Sequence, residues 1–361
     1  MTIHDAAPSE LSKLAALLKA RVPFLRRDTL QRVADVIEAL IQAQSTCHRV
    51  LGTFLPNEAS PEARKKRIHR CFQDEQLTDD VFLHVLLPLL PPGKLVLALD
   101  RTNWAHGRQP LNLLVLGVVL HGFTLPLVWT ALSHQGSSDT ATRERLVARL
   151  LRHLPASRWK VLIADREFVG QDWFQFLRRR RIKRCLRVKG NARVDGDRLD
   201  EVYADLAPGQ MIAMMDKEVI YGCRMQLVVT RSLAGDLLCL ATDLHAQDAC
   251  FTYRLRWSVE CTFSSMKSRG FDLERTGMTQ TDRLERLFGM VTLAWVWCLR
   301  VGVDGALQRP IPIKAHGRKA LSVVTAGWEC LAHALRWNRP ARVTFVNLFT
   351  TGFPAPGAIV G

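Results

Sequence analysis

The stretch from Leu111 to Leu132 constrains this chain more than any other, because it is apolar throughout except for a few uncharged polar residues and His121. It is longer than the ~20 residues a membrane helix needs, so one way to satisfy it is a span, and a membrane protein of detergent-dependent solubility is the alternative to carry. The run His121-Gly122-Phe123-Thr124-Leu125-Pro126 interrupts it, and its Val- and Leu-rich halves suit two buried strands joined by a tight turn. The strand reading is preferred.

Other apolar runs continue the pattern. Pro91-Pro92-Gly93 marks a boundary, after which Leu95 to Leu99 reads as a strand ending in Asp100, followed by strands Leu111 to Leu120 and Leu125 to Ala131. A helix opened by Asp139 or Thr140 leads to the strand Trp159 to Ala164, which ends in Asp165. Gln171 to Arg181 reads as a helix and Ile182 to Val188 as a strand. Short strands follow at Met211 to Met214, Val219 to Ile220, Met225 to Thr230 and Leu237 to Thr242. Two helices are expected over Phe251 to Ser268 and Thr281 to Val301, the second apolar nearly all round and hence buried. One more, Leu321 to Leu335, precedes a Pro/Gly-rich tail. Before Pro91 the periodicity is helical, with Ser9 capping the run through Leu11, Leu14, Leu17 and Leu18, and Asp28 opening a second helix.

This order predicts an α/β protein. Residues 1–90 are expected as a helical region whose basic stripe could grip duplex DNA or brace the main domain; 91–189 as the first part of that domain; 190–245 as a β-rich insertion; 246–301 as its completion; and 302–361 as a C-terminal helical region and tail.

Lys and Arg total 50 against 34 Asp and Glu, a formal charge of +16, which favours a polyanionic partner, nucleic acid before membrane. The excess concentrates in Arg178 to Arg181, Lys183, Arg184, Arg187 and Lys189, read as phosphate contacts, and in a stripe of Arg64, Lys65, Lys66, Arg67 and Arg70. The nine cysteines show no C-x-x-C pair or zinc spacing, so reduced and mostly buried thiols are expected. The first twenty residues lack a secretory signal pattern, and a cytoplasmic location is expected.

Asp100 and Asp165 each follow an apolar strand, where a carboxylate leaves the core at the end of a sheet. Singly, such residues are more often turn caps than ligands; on neighbouring strands they become a candidate pair. In the helix from Phe251, Tyr253, Arg256, Glu260 and Lys267 fall within an arc of roughly 60° on one face, beside the apolar Leu255, Val259, Phe263 and Met266. A solvated face is the bland reading of that line. Carboxylates gathered from separated elements suit hard divalent cations such as Mg²⁺ or Mn²⁺, and two ions ~4 Å apart can activate an attacking oxygen and stabilise a leaving one. Arg256 and Lys267 can neutralise phosphates, and Tyr253 offers a hydroxyl to a phosphate oxygen.

The spacing Tyr253-x-x-Arg256-x-x-x-Glu260-x-x-x-x-x-x-Lys267 resembles the signature of one group of DDE transposases of bacterial insertion sequences. Leu99-Asp100-Arg101-Thr102-Asn103-Trp104 and Ala164-Asp165-Arg166-Glu167-Phe168 look like that family's first two acidic motifs. The resemblance covers Leu95 to about Arg300. It implies a ribonuclease-H-like mixed sheet flanked by helices, a β-rich insertion before the last catalytic helix, and catalytic metal ligands Asp100, Asp165 and Glu260 holding two ions. It further implies DNA-binding roles for Tyr253, Arg256 and Lys267, and a homodimer bridging double-stranded terminal inverted repeats and target DNA in a synaptic complex. The chemistry implied is cut-and-paste: nicking, hairpin formation by the freed 3′-hydroxyl, opening and strand transfer. Hairpin-forming relatives stack a flipped base on an insertion Trp, whereas Gly190 to His245 contains none, which leaves Tyr221 as the aromatic substitute. Among the other nearby acids, Asp243, Glu167, Asp172, Asp272 and Glu274, Asp243 is expected to support the site from behind. Two rival classes remain: a catalytically inactive transposase-derived DNA-binding protein, and a ribonuclease-H-like nuclease that cuts without joining.

Overall fold

The computed structural model describes residues 11–56, 58–214, 216–315 and 317–355. Ser9 lies outside the described residues, and the first helix is instead capped by Ser12, whose hydroxyl accepts from Ala15 N. The elements in chain order are α1 (Lys13–Arg21), α2 (Arg27–Ala43), α3 (His48–Thr53), α4 (Pro61–Gln73) and α5 (Asp79–Leu86), then β1 (Leu95–His106), β2 (Gln109–Leu120) and β3 (Phe123–Ala131). Next come α6 (Thr140–Leu151), β4 (Trp159–Ala164), α7 (Gln171–Arg179), β5 (Arg184–Val188), β6 (Arg193–Val194), β7 (Asp197–Arg198) and α8 (Leu199–Val202). The chain continues through β8 (Met211–Ala213), β9 (Glu218–Ile220), β10 (Cys223–Arg231), β11 (Leu237–Thr242), α9 (Ala246–Arg254) and α10 (Trp257–Met266). It closes with α11 (Thr281–Gln308), α12 (Val323–Trp337) and α13 (Arg339–Leu348). Two compact units result, one of residues 1–91 with 264–361 and the other of residues 92–263.

In the unit 92–263 the strands run β3-β2-β1-β4-β5-β11-β10-β8, with β9 on β10. The first three are an antiparallel meander, and β1, β4 and β5 pair in parallel. That is the mixed, ribonuclease-H-like order. The long apolar stretch becomes β2 and β3, joined at His121-Gly122 with φ of 51° and 83°, the two positive values a two-residue hairpin turn of the right twist requires. Buried on both faces, these strands need no polar alternation, which is why they read as one apolar run. α6 packs on β3 and α7, while α9 lies across β4, β5, β10 and β11.

Three expectations change. β1 does not stop at Asp100: it continues to His106 in register with β2, alternating burial along an outward-reaching ribbon whose polar residues disguise it as loop. β10 and β11 are not set apart from the sheet, because β11 pairs with β5 and β10 with β11, so the segment after Gly190 widens the central sheet. Arg184 is no phosphate contact. Buried beside the β5–β11 pair, it grips Asp243 through Nε (2.7 Å) and Nη2 (2.9 Å) while Nη1 donates to Phe174 O at 2.8 Å. Arg178 to Arg181, Lys183 and Lys189 are exposed.

The other unit is helical. α11 is long and apolar enough to cross a membrane by length and composition, yet it packs against α2, α5, α12 and α13 as the core helix of this unit. α11 and α12 meet backbone to backbone, since a Cβ added at Gly327 would stand 2.0 Å from Cys298 O. The stretch taken as tail contains α13, started by Asn338 as cap with Pro340 in the first turn, where a proline costs no hydrogen bond. All nine cysteines are free of disulfides, and five are buried.

Replacing Arg184 by Met removes one member of a desolvated pair and leaves the Asp243 carboxylate without its counter-charge. A loss of roughly 3 to 5 kcal/mol is expected in urea unfolding. A loss below about 1 kcal/mol would show that the pair only decorates the surface.

Candidate active site

The parallel register of β1 with β4 ends at Leu99 opposite Ala164, so Asp100 and Asp165 are the next residue on each of two neighbouring strands. Between β1 and β4 the strand order reverses direction, the position where open α/β sheets build their sites. Asp100 is only 9% exposed. Its Oδ1 accepts from Arg101 N at 2.8 Å and its Oδ2 from Arg256 Nη1 at 2.8 Å.

The expected single helix over 251–268 is two. α9 ends at Arg254, tight turns Arg256 N→Tyr253 O and Ser258 N→Leu255 O follow, and α10 starts at Trp257. Arg256 therefore sits at the break, with one face of its guanidinium toward Asp100 and the other donating to Glu260 Oε1 at 2.6 Å. Tyr253 closes α9 with its hydroxyl donating to Asp165 Oδ1 at 3.1 Å, and Arg187 Nη1 lies 3.6 Å from the same oxygen. Tyr253, Arg256, Glu260, Asp100 and Asp165 are thus brought together. Lys267 belongs to the other unit, beyond the end of α10, where its ammonium pairs with Glu274 at 3.1 Å.

The orientation of α10 comes from a buried polar clasp. Thr262 Oγ1 accepts from Thr124 N at 2.8 Å and donates toward Thr124 O (2.9 Å) or Ser258 O (3.0 Å), and the hydroxyls of Thr124 and Ser258 meet at 2.6 Å. Val259 and Phe263 add buried apolar contact. Sequence reasoning found the apolar face and missed the clasp; its only signal is three small hydroxyl residues in otherwise apolar surroundings.

Further polar residues frame the acids. Arg101 Nη2 pairs with Glu167 at 3.1 Å and its Nη1 donates to Asn112 Oδ1 at 3.3 Å. The buried Arg143 of α6 donates to Ser138 O and to Glu167 O (3.2 Å) and lies 5.3 Å over the Phe168 ring, which holds the loop that follows Asp165. Asp243, expected behind the site, is the Arg184 partner described above. Tyr221 sits in the β9–β10 turn at φ 47°, half-buried, its ring 5.0 Å from that of Phe174. That packing, and not a free aromatic face, is what the fold gives it.

Burial raises the Asp100 carboxyl to about 6, against the lowering effects of the Arg101 amide and of Arg256, and with Glu167 and Asp165 adding repulsion. Burial is the largest single influence on Arg256 and opposes its charge, but Asp100, Tyr253, Glu260 and Asp165 together outweigh it and hold the guanidinium protonated above its ordinary range. Desolvation and the neighbouring Asp165 keep the Tyr253 phenol neutral. Among the described residues no three His, Cys, Asp or Glu side chains stand close enough to hold a metal together. The guanidinium of Arg256 lies between Asp100 and Glu260 and donates to both.

Residues 91–297, more than half of the chain, match the transposase DDE domain family. The chain belongs to that family, and is a transposase by that membership. No curated protein matches it significantly. Among solved structures, a piggyBac transposase synaptic complex with hairpin DNA, determined by cryo-EM, is similar at 14% identity and a TM-score of 0.49, over 96% of this chain and 83% of that one.

Because the folded pKa of Asp100 is raised, the folded state keeps a proton that the unfolded chain releases. This stabilisation is complete below about 3.8 and is lost as pH rises through about 6. At neutral pH the ionised carboxylate costs roughly 3 kcal/mol relative to acid. Asp100→Asn should therefore gain melting temperature relative to wild type as pH is raised from 4 to 7; a difference independent of pH would remove the assignment.

Proposed function

We propose that this chain is a cut-and-paste DNA transposase of the insertion-sequence group with the Tyr-Arg-Glu-Lys signature, and that Asp100, Asp165 and Glu260 are its catalytic acids. The observation that carries the reading is the shared end of the β1–β4 pairing, from which Asp100 and Asp165 emerge side by side with Glu260 tied to Asp100 through Arg256.

The donor set is all carboxylate oxygen, which fits Mg²⁺ or Mn²⁺, and Asp100, Asp165 and Glu260 would hold the ions. Two such ions, when bound, supply Lewis-acid stabilisation to the attacking and leaving oxygens of an in-line displacement. The stand-in charge of Arg256 says what the acids require: a cation between Asp100 and Glu260. On releasing them, Arg256 is free to donate to a non-bridging phosphate oxygen of DNA, the role a planar guanidinium fills best. Tyr253 and Arg187 orient Asp165, leaving its second oxygen for other partners. Lys267 is assigned to a phosphate once its bond to Glu274 opens.

In the nicking step a water oxygen forms a bond to phosphorus as the P–O3′ bond breaks, and the departing 3′ oxygen takes a proton to become the hydroxyl that attacks next. The partners are double-stranded terminal repeats and target DNA, bridged by a homodimer in the cytoplasm. With Tyr221 packed on Phe174, stacking by that residue is not part of the proposal.

The test is cleavage of a duplex carrying the element's terminal repeat, with Mg²⁺ and with EDTA, by wild type and by Asp100→Asn, Asp165→Asn and Glu260→Gln. Metal-dependent nicking by wild type, reduced to background in each variant while duplex binding persists, is expected. Arg256→Ala should weaken binding too and flatten its salt dependence by about one unit of slope. A wild type that binds but never cuts with any divalent ion makes the inactive DNA-binding reading correct.

A further inference from the structure

A second basic site lies in the helical unit, and no residue of the acid cluster lines it. Residues of α3, α4 and the segment that leads into α11 enclose a cavity of about 540 Å³. Its walls carry Arg49, Lys65, Arg275 and Arg283, together with His48 and His69. Among the described residues no carboxylate lines it. Two acids adjoining its lining segments are engaged: Asp272 lies 3.4 Å from Arg275, and Asp282 binds Arg286 at 2.9 Å. Among the described residues neither Arg49 nor Lys65 is tied to a carboxylate. Arg283 Nη1 stands 3.5 Å from His69 Nε2.

Like charges held together in this way cost free energy unless something negative arrives, and they add to what burial does to the His48 ring. Burial first, then His69 and Lys65, hold its pKa down to about 4. The start of α11 adds to the positive potential: Gln280 caps it without a side-chain hydrogen bond, leaving its first amides pointing out of a helix of 28 residues.

The geometry points to a phosphate-binding site for the sugar–phosphate backbone of duplex DNA, gripped by Arg49, Lys65, Arg275 and Arg283. A nucleotide base has little to hold here, since of the two imidazoles at the wall His48 is already stacked on Phe72 at 5.3 Å and His69 stands edge to face with His48 at 6.1 Å. Cations without base-reading partners position a duplex and do not select its sequence. The cavity exceeds what a single phosphate needs, being of the size that takes whole small ligands, so consecutive backbone groups can enter. The inference rests on the reading that this chain acts on DNA, and it gives the helical unit a defined place to hold it.

The experiment is fluorescence anisotropy of a labelled random-sequence duplex titrated with the full chain in EDTA, at a series of NaCl concentrations. Wild type, Lys65→Gln with Arg283→Gln, and the charge-keeping Lys65→Arg are compared, with melting temperatures as the folding control. The double variant should bind more weakly and lose about two units from the slope of log K against log[salt], whereas Lys65→Arg keeps the wild-type slope. A correctly folded double variant with wild-type affinity and slope overturns the site. So does one whose only change is the loss of thermal stabilisation by inorganic phosphate, which would make this a free-anion site. If the double variant unfolds, the single Arg49→Gln, at an exposed position, must lower the slope by about one or the site is overturned. Because binding is read without metal, failure of wild type to nick DNA would sink the enzymatic reading and leave this result intact.

Discussion

The parallel pairing of β1 with β4 is the constraint on which the unit 92–263 depends. Parallel strands need both faces covered and a crossover between them, and β3, α6, α7 and α9 supply these in turn. Because the pairing stops at Leu99 and Ala164, the two following carboxylates leave the core on adjacent strands without any loop having to bring them there. The cost is the desolvation of Asp100, which neighbouring Asp165 and Glu167 make worse. A buried carboxylate in that position requires a cation, and the rest of the site can be understood as a response to that requirement.

The response is a set of arginines, one to each acid or pair of acids. Arg256 serves Asp100 and Glu260, Arg101 serves Glu167, Arg187 approaches Asp165 and Arg184 takes Asp243. Much of the basic excess in this part of the chain is therefore internal. Arg184 and Arg187 belong to the same charge run as Arg178 to Arg181, yet β5 turns the first inward and leaves the second beside Asp165. Charge density in a sequence does not say which way a strand points it.

That limit explains what was legible and what was not. β2, β3, β4 and α11 were readable because burial on all sides leaves a continuous apolar run that few other structures tolerate. The outer half of β1 was not, since Arg101 to His106 satisfies its backbone through β2 while only Thr102 and Trp104 of its side chains are buried. Asp100 and Asp165 were read as candidates from strand ends and Glu260 from spacing, and the fold places the first two at the end of the β1–β4 pairing with Glu260 joined to Asp100 through Arg256. The clasp of Thr124, Ser258 and Thr262 was invisible, because hydroxyls pair across distances in the chain that no periodicity records. α13 was hidden by Pro340, which reads as a breaker unless the cap at Asn338 is recognised before it.

The break between α9 and α10 shows most clearly how local geometry changes the chemistry available. In one continuous helix, Tyr253, Arg256 and Glu260 would form a line on one face, with Arg256 and Glu260 still paired four residues apart. With the turn at Leu255 and Arg256, Tyr253 in the last turn of α9 reaches Asp165 while Arg256, just before α10, pairs with Glu260 four residues on. A guanidinium at that corner reaches two carboxylates from different elements at 2.8 and 2.6 Å. Lysine carries its charge at a single point, with no planar fork to meet both acids at once. The same bridge orders Glu260, whose side chain is 41% exposed and would otherwise sample several rotamers. The two bonds differ in shelter, since the Asp100 side chain is 12% exposed and that of Glu260 41%, so the guanidinium is held more firmly on the Asp100 side and screened by water on the Glu260 side.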